Sequence, residues 1–396
     1  MTKQYFKAAD ILLPKKDFKE WSVIACDQYT SEPEYWAETE KAVGSKTSAL
    51  RIVLPEVYLS EDDSEKITVI NKTMDSYLDG DVFDLYENTM VYTRRTLKNG
   101  KVRNGLVGLI DLEDYSYEAG ADTLIRATEQ TVVERIPPRV AIRRDASIEI
   151  PHVMLLIDDA KKEIIENIAE KRENLTELYN FELMQNAGKI EGYALEESDV
   201  ERVNEGLASL LNDSGNGLLF AVGDGNHSLA TAKECYKQGN GSRYALVEVV
   251  NIHDSSLEFE PIYRVVFGAD LSLADEFIKA LGGEYNGADA QEFTCVYKDE
   301  TKRFSVRPTG TLPIATLQGF LDKYLKNTDL KIDYVHGIEN TEKLCENGGA
   351  VGFLFEGMGK SELFTAVAND GSLPRKTFSM GCADDKRFYL EARKIK

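Results

Sequence analysis

The 396-residue chain reads as an α/β protein with mixed sheets, and three observations predict that class. Strand-like apolar runs alternate with helix-like amphipathic ones along the whole length, with no repeat and no low-complexity tract. Hydrophobic residues make up 42% of the chain, enough for two or three domains with cores of their own. The run GLLFAV breaks into Gly-Asp-Gly-Asn-His and then into good helix formers, giving strand, turn and helix in direct succession.

The elements follow in order. Residues 61–78 (EDDSEKITVINKTMDSYL) carry helical periodicity, and residues 82–115 read as strands that turn at Lys98-Asn99-Gly100. PHVMLLIDD is a buried strand, followed by a charged helix over 160–179, a hairpin over 181–195 (FELMQNAGKIEGYAL) and a helix over 196–213. Next come GLLFAV with its turn and helix, then the strands RYALVEVVNI and FEPIYRVVF. After about residue 268 the pattern restarts with helix SLADEFIKAL, strands near TCVYKD and KRFSVRP, helix ATLQGFLDKYL and a last α/β stretch. The expected division is therefore a core over 1–268 and a C-terminal α/β domain over 269–396.

Composition narrows the function classes. With 68 acids against 47 bases the formal net charge is −21, which repels DNA and RNA, and no concentrated basic patch offsets it. Five cysteines and four histidines are scattered without metal-ligand or disulfide spacing. No run reaches the roughly 18 apolar residues of a membrane span, and MTKQYFKAADILLPKKDF lacks the apolar segment of a secretory signal. The expectation is a cytoplasmic protein with small-molecule substrates, and neither nucleic acid nor membrane as partner.

The turn at 223–228 carries the chemistry. A glycine-rich turn feeding a helix leaves the first helical N–H groups pointing at one spot, which favours an anion. Gly223 and Gly225 allow close backbone approach, Asp224 can hold a metal ion or a substrate ammonium, and His227 can donate to phosphate or move a proton. The same residues also suit a plain capped turn, with Asp224 or Asn226 closing the helix.

The run F-A-V-G-D-G-N-H-S-L-A-T-A resembles the phosphate-binding motif of the ParB/sulfiredoxin superfamily, in the D-G-H-H-R version found in free serine kinases. Around it, VIACDQY, NGLVGLIDLEDY, RATEQTVVERIPPR, PHVMLLIDD, EPIYRVV, DYVHG and PRKTFSM resemble a bacterial family of unknown function, often labelled ParB-like or SpoOJ-like. Two positions depart from the motif: Asn226 stands for its first histidine and Ser228 for its arginine. The missing phosphate charge must then come from elsewhere, with Arg126, Arg135, Arg139, Arg264 and the weaker Lys376 as candidates. Asn226 also stands where sulfiredoxins need a cysteine.

The resemblance implies a ParB/sulfiredoxin-like core and phosphoryl transfer to free L-serine, with Mg²⁺ held at Asp224 and pyrophosphate, ADP or ATP as donor. A non-catalytic nucleotide- or amino-acid-binding regulator is the alternative. No Walker A loop or kinase glycine loop occurs, which leans the donor toward pyrophosphate. Asp27 ends the apolar run Val23–Cys26 and is the expected hydroxyl-orienting carboxylate, with Glu32 as substitute, although Asp27 also suits an N-cap. Glu129 and Tyr29 are expected at the substrate, and Glu129 equally suits a local ion pair with Arg126.

Overall fold

The computed structural model describes residues 3–118 and 120–396. It folds into two compact units: unit 1 takes the chain up to Ala127, then Thr131–Leu257 and Gly381–Lys396, while unit 2 takes Thr128–Gln130 and Glu258–Met380. The expected division at 268 falls at the end of a strand that unit 2 needs in its own sheet, and the final sixteen residues, expected in the C-terminal domain, return to unit 1.

In unit 1, β1 (Ala9–Pro14) and β2 (Phe83–Thr89) pair antiparallel. The main sheet takes β3 (Val91–Thr96), β4 (Val102–Asp111), β5 (Tyr115–Ser116) and β6 (Ile125–Ala127). After the short β7 (Ile148–Glu149) it adds β8 (Met154–Ile157), β9 (Thr176–Glu182), β10 (Lys189–Ala194), β11 (Phe220–Asp224) and β12 (Tyr244–Asn251). Its order is β5-β6-β11-β8-β12-β4-β3-β10-β9, with β5/β6, β6/β11 and β8/β12 parallel and the other pairs antiparallel. The fold is thus mixed α/β with one large mixed sheet, as the alternating pattern predicts.

Both sheet faces are covered, so the central strands are apolar on both sides. One core gathers Tyr92, Leu155, Phe220 and Val249 against helices Ile136–Arg143, Glu197–Ser214 and Asn226–Lys237. A second gathers Trp21, Trp36, Val107 and Leu246 with helix Ser64–Asp79, which runs where the periodicity places it. The turn between β3 and β4 falls at Gly100, whose φ of +84° is the conformation glycine tolerates best.

The helix expected over 160–179 is a correction. Only Ile165–Glu170 is α-helical, and from Thr176 the chain is strand β9, paired with β10. Glutamates and lysines at helical spacing imitate a solvated helix, but Tyr179 is buried and its hydroxyl donates to Glu391, a partner 212 residues away.

Unit 2 is a second sheet, built from β13 (Phe259–Phe267), β14 (Gln291–Tyr297), β15 (Glu300–Val306), β16 (Lys331–His336), β17 (Ala350–Phe355) and β18 (Phe378–Met380). The order is β15-β14-β17-β13-β16, with β18 pairing β13. Phe277 of helix Ser272–Ala280 packs edge-on to Phe293, Phe304 and Phe353 in its core.

The returning C-terminal segment ends in β19 (Arg393–Lys394), paired with β7. It is held in unit 1 by buried ions. Arg387 donates to Glu248 and Glu391, each at 2.5 Å, and to the Pro151 carbonyl, while Arg393 donates to Glu149 at 2.5 Å. Removing one partner of a buried pair strands the other's charge, which costs far more than the pair itself stabilises. Arg387→Met is therefore expected to lower the unfolding free energy of unit 1 by about 3–5 kcal/mol. Urea denaturation checks this, and a loss comparable to that from a surface arginine would contradict it.

Candidate active site

The site is built where β11 meets its helix. The β11/β8 register slips between Val222 and Asp224, leaving Gly223 as an extra, unpaired residue just before Asp224, which pairs with Met154 at the end of the strand. Gly225 follows with φ +74°, and a Cβ there would lie 2.9 Å from Val153 Cα and 3.1 Å from His152 Cδ2, so the position admits only glycine without rearrangement. Helix Asn226–Lys237 starts at once, with no side chain capping it, and its first intrahelical bond runs from the Leu229 N–H to the Gly225 carbonyl. The preceding N–H groups, those of Asn226, His227 and Ser228, form the anion-favouring helix end.

The turn's side chains divide into pinned and presented. Asn226 is pinned, its Oδ1 accepting from the Tyr115 hydroxyl at 2.8 Å and its Nδ2 donating to Thr131 Oγ1 at 2.7 Å. It positions segment 131–132 over the helix start. His227 Nε2 accepts from the Val132 N–H at 3.2 Å, which fixes the neutral ring as the Nδ1–H tautomer. Burial, then the charges of Arg139 and Arg135, push its pKa below the ordinary value, with Asp27 acting in the opposite sense. Asp224 is presented, with the Lys386 ammonium 3.4 Å from its Oδ2.

Asp27 belongs to the same region. Burial works against its charge, but His152, Gln28 and Lys386 together outweigh it and hold the carboxyl below the ordinary carboxylate range. The preceding Cys26 thiol is pushed up to about 12 by burial and by Asp27, so it stays protonated and is no nucleophile. The Tyr389 hydroxyl accepts from the Cys26 N–H at 3.1 Å and lies 2.9 Å from His152 Nδ1. The His152 ring itself lies against Gly225, its Cδ2 3.1 Å from where a Cβ would sit.

Three of these residues escape a reading of the sequence. His152 precedes a buried strand, and Lys386 and Tyr389 lie in the returning tail. The one local hint is that the charged residues Arg387, Glu391 and Arg393 interrupt an apolar run, FYLEAR, at the end of the chain.

Of the other expected residues, Arg135 and Arg139 reach the turn through their charges on His227. Arg126 is buried, but its guanidinium donates to the Thr123 carbonyl, Asp122 and the Asn216 carbonyl, at the end of β11 opposite the turn. Its ion pair is with Asp122. Arg139 is tied to Glu56, and Arg135 is exposed. Glu32 is exposed at the N-cap position of helix Pro33–Val43, which is where the capping role considered for Asp27 falls. Tyr29 stacks on Tyr35 at 3.8 Å between ring centroids and its hydroxyl donates to Asp384, so it braces the tail.

Arg264, Lys376 and Glu129 all belong to unit 2. The expectation that Arg264 or Tyr263 faces a cleft fails, because both are buried. Arg264 donates to Gln318 and to the carbonyls of Ile262, Lys376 and Arg375, while the Lys376 N–H donates to Glu129 at 3.1 Å. Among the described residues no group of three or more His, Cys, Asp or Glu side chains is arranged to hold a metal ion, and no helix is long and apolar enough to cross a membrane.

The fold and site together define a mixed α/β protein with an anion-favouring strand-turn-helix and a low-pKa carboxylate nearby. The chain belongs to the family described as "Protein of unknown function (DUF1015)", whose model matches residues 6–324. No curated protein matches the chain. Among solved structures it is similar to a conserved hypothetical protein from Pyrococcus furiosus, with 14% identity, 73% of this chain and 94% of that one covered, and a TM-score of 0.37. It is also similar to a free serine kinase in complex with AMP (14% identity, 73% and 90% covered, TM-score 0.40) and to a variant of such a kinase in complex with ADP (14%, 75% and 93%, 0.41). At these TM-scores the likenesses carry no argument, and the ParB/sulfiredoxin attribution stays a resemblance carried by the turn.

The His227 shift predicts a pH effect. A histidine whose folded pKa is depressed adds stability that is whole above its ordinary value of 6.5 and is lost as pH falls below it. An NMR titration of the His227 ring is expected to show a midpoint below 6.5. A midpoint at or above that value would contradict the Val132 hydrogen bond as described.

Proposed function

We propose that the protein is a phosphotransferase with an alcohol-group acceptor, converting free L-serine to O-phosphoserine with pyrophosphate, or else ADP or ATP, as donor. The observation that carries the reading is that the N-terminal segment reaches the central turn. The Cys26 N–H, next to Asp27, donates to the Tyr389 hydroxyl, which lies 2.9 Å from His152 Nδ1, and the His152 ring lies against Gly225, which supports one site for carboxylate and helix end. Phosphoryl transfer asks for little covalent chemistry and much positioning, which suits such an arrangement.

Asp27 accepts the hydrogen bond of the serine hydroxyl and orients it. A carboxylate of low pKa is a weak base, and a loose transition state needs no more than an acceptor that is ionised throughout the working pH range. The N–H groups of the 226–228 helix end receive the phosphoryl oxygens. His227, neutral with its proton on Nδ1, donates a hydrogen bond. Mg²⁺ fits only as an ion that arrives with the donor, since Asp224 is the one carboxylate of the turn and magnesium is commonly held by one or two carboxylates plus substrate phosphates. There it would neutralise charge on the phosphates.

Asp27→Asn is expected to lower kcat by about a hundredfold or more with a smaller change in donor KM, and Glu32→Gln is expected to do little. Asp224→Asn and His227→Ala should each abolish phosphoserine formation with the fold intact, Asp224→Asn keeping the thermal unfolding midpoint and His227→Ala lowering it slightly through loss of the Val132 hydrogen bond. Mass-spectrometric detection of phosphoserine against each donor, with Mg²⁺, measures all four. Wild-type turnover in Asp224→Asn or His227→Ala would remove the turn from the reaction. Donor binding without any phosphoserine would favour the regulator instead.

A further inference from the structure

We propose that Lys386 is the cation that holds the donor phosphate at the 223–228 turn, in place of the arginine that Ser228 displaces. The inference rests on the phosphoryl-transfer reading and names the residue that recognises its donor. The turn itself contains an acid and, beside the His227 imidazole, no lysine or arginine. Of the arginines considered for the task, Arg126 is spent at the far end of β11, Arg139 is bound to Glu56, and Arg264 is engaged with Gln318 and backbone carbonyls in unit 2, while Arg135, whose charge acts on His227, is exposed and is the competing cation.

Among the described residues, Lys386 is the cation paired with Asp224, and its charge also acts on Asp27. Its ammonium lies 3.4 Å from Asp224 Oδ2, well beyond the roughly 2.7–2.9 Å of a charged N–H···O hydrogen bond. The pair is therefore held by charge and leaves the ammonium's donors directed by no close bond. The side chain is 19% exposed. A lysine serves phosphate as a compact point charge, without the planar fork of an arginine, and so tolerates an acid beside it.

The backbone under Lys386 is fixed to an extent a loop rarely needs. The Arg95 guanidinium donates to the carbonyls of Asp384, Asp385 and Lys386, and Arg103 donates to that of Asp385. Both arginines are buried, at 2% and 4% exposure. On the other side the Ala25 N–H donates to the Arg387 carbonyl. Two buried guanidinium groups thus spend donors on holding three successive carbonyls, and the side chain so positioned is the one that faces the turn.

The test is isothermal calorimetry of inorganic pyrophosphate, ADP and ATP on the full chain, with phosphoserine formation followed in parallel. Lys386→Met is expected to weaken pyrophosphate binding about tenfold or more, Lys386→Arg to recover most of it, and the surface variant Lys3→Met to bind as wild type. Recovery in Lys386→Arg separates a lost charge from a disturbed fold. Unchanged binding in Lys386→Met, or loss in Arg135→Ala but not in Lys386→Met, would overturn the proposal, as would a wild-type chain that binds none of the three donors. If binding depends on Lys386 and no phosphoserine ever forms, the inference stands and the serine kinase reading falls. If phosphoserine forms with the same donor KM in Lys386→Met, the reverse holds.

Discussion

The buried guanidinium of Arg387 joins four distant parts of unit 1. Its side chain meets Glu248 on the central strand β12, Glu391 further along the tail and the carbonyl of Pro151, while its own carbonyl accepts from Ala25. Pro151 adjoins His152, Ala25 lies two residues before Asp27, and Lys386 is the preceding residue. The groups around the turn therefore take their places from one ion network. A buried ion pair is a weak source of net stability, but it penalises any arrangement in which a partner is missing, and so specifies where the tail must lie.

The turn has the opposite character, since its geometry is local. The extra residue at Gly223 and the left-handed Gly225 aim the first N–H groups of helix Asn226–Lys237 outward, and Asn226 spends its amide on Tyr115 and Thr131. Where the resembled motif has a histidine, this chain has a structural clamp, and a second imidazole, His152, comes from the edge of β8 instead. The chemistry of the motif is redistributed over segments far apart in sequence.

That redistribution explains what could be read from the sequence. The strand, turn and helix around 223–228 were legible because glycine, apolar run and helix formers are neighbours in the chain. Asp27 was legible as an acid closing an apolar run. Lys386 and Tyr389 were not, because their placement depends on Glu248, Arg95 and His152, more than a hundred residues away, and no periodicity encodes such pairings. Strand β9 was obscured by charges at helical spacing, and its identity comes from Tyr179 reaching Glu391. For Arg264 the alternation along β13 was right that it faces away from Tyr263, but burial of both side chains leaves neither as a cleft residue.

The central claim is that the turn and the returning tail form one phosphate site. A crystal structure of the protein with pyrophosphate tests it most directly. The account predicts the anion within hydrogen-bonding distance of both the first N–H groups of helix Asn226–Lys237 and Lys386 Nζ. Pyrophosphate bound away from that helix end, or at it with Lys386 still directed only at Asp224, would contradict it.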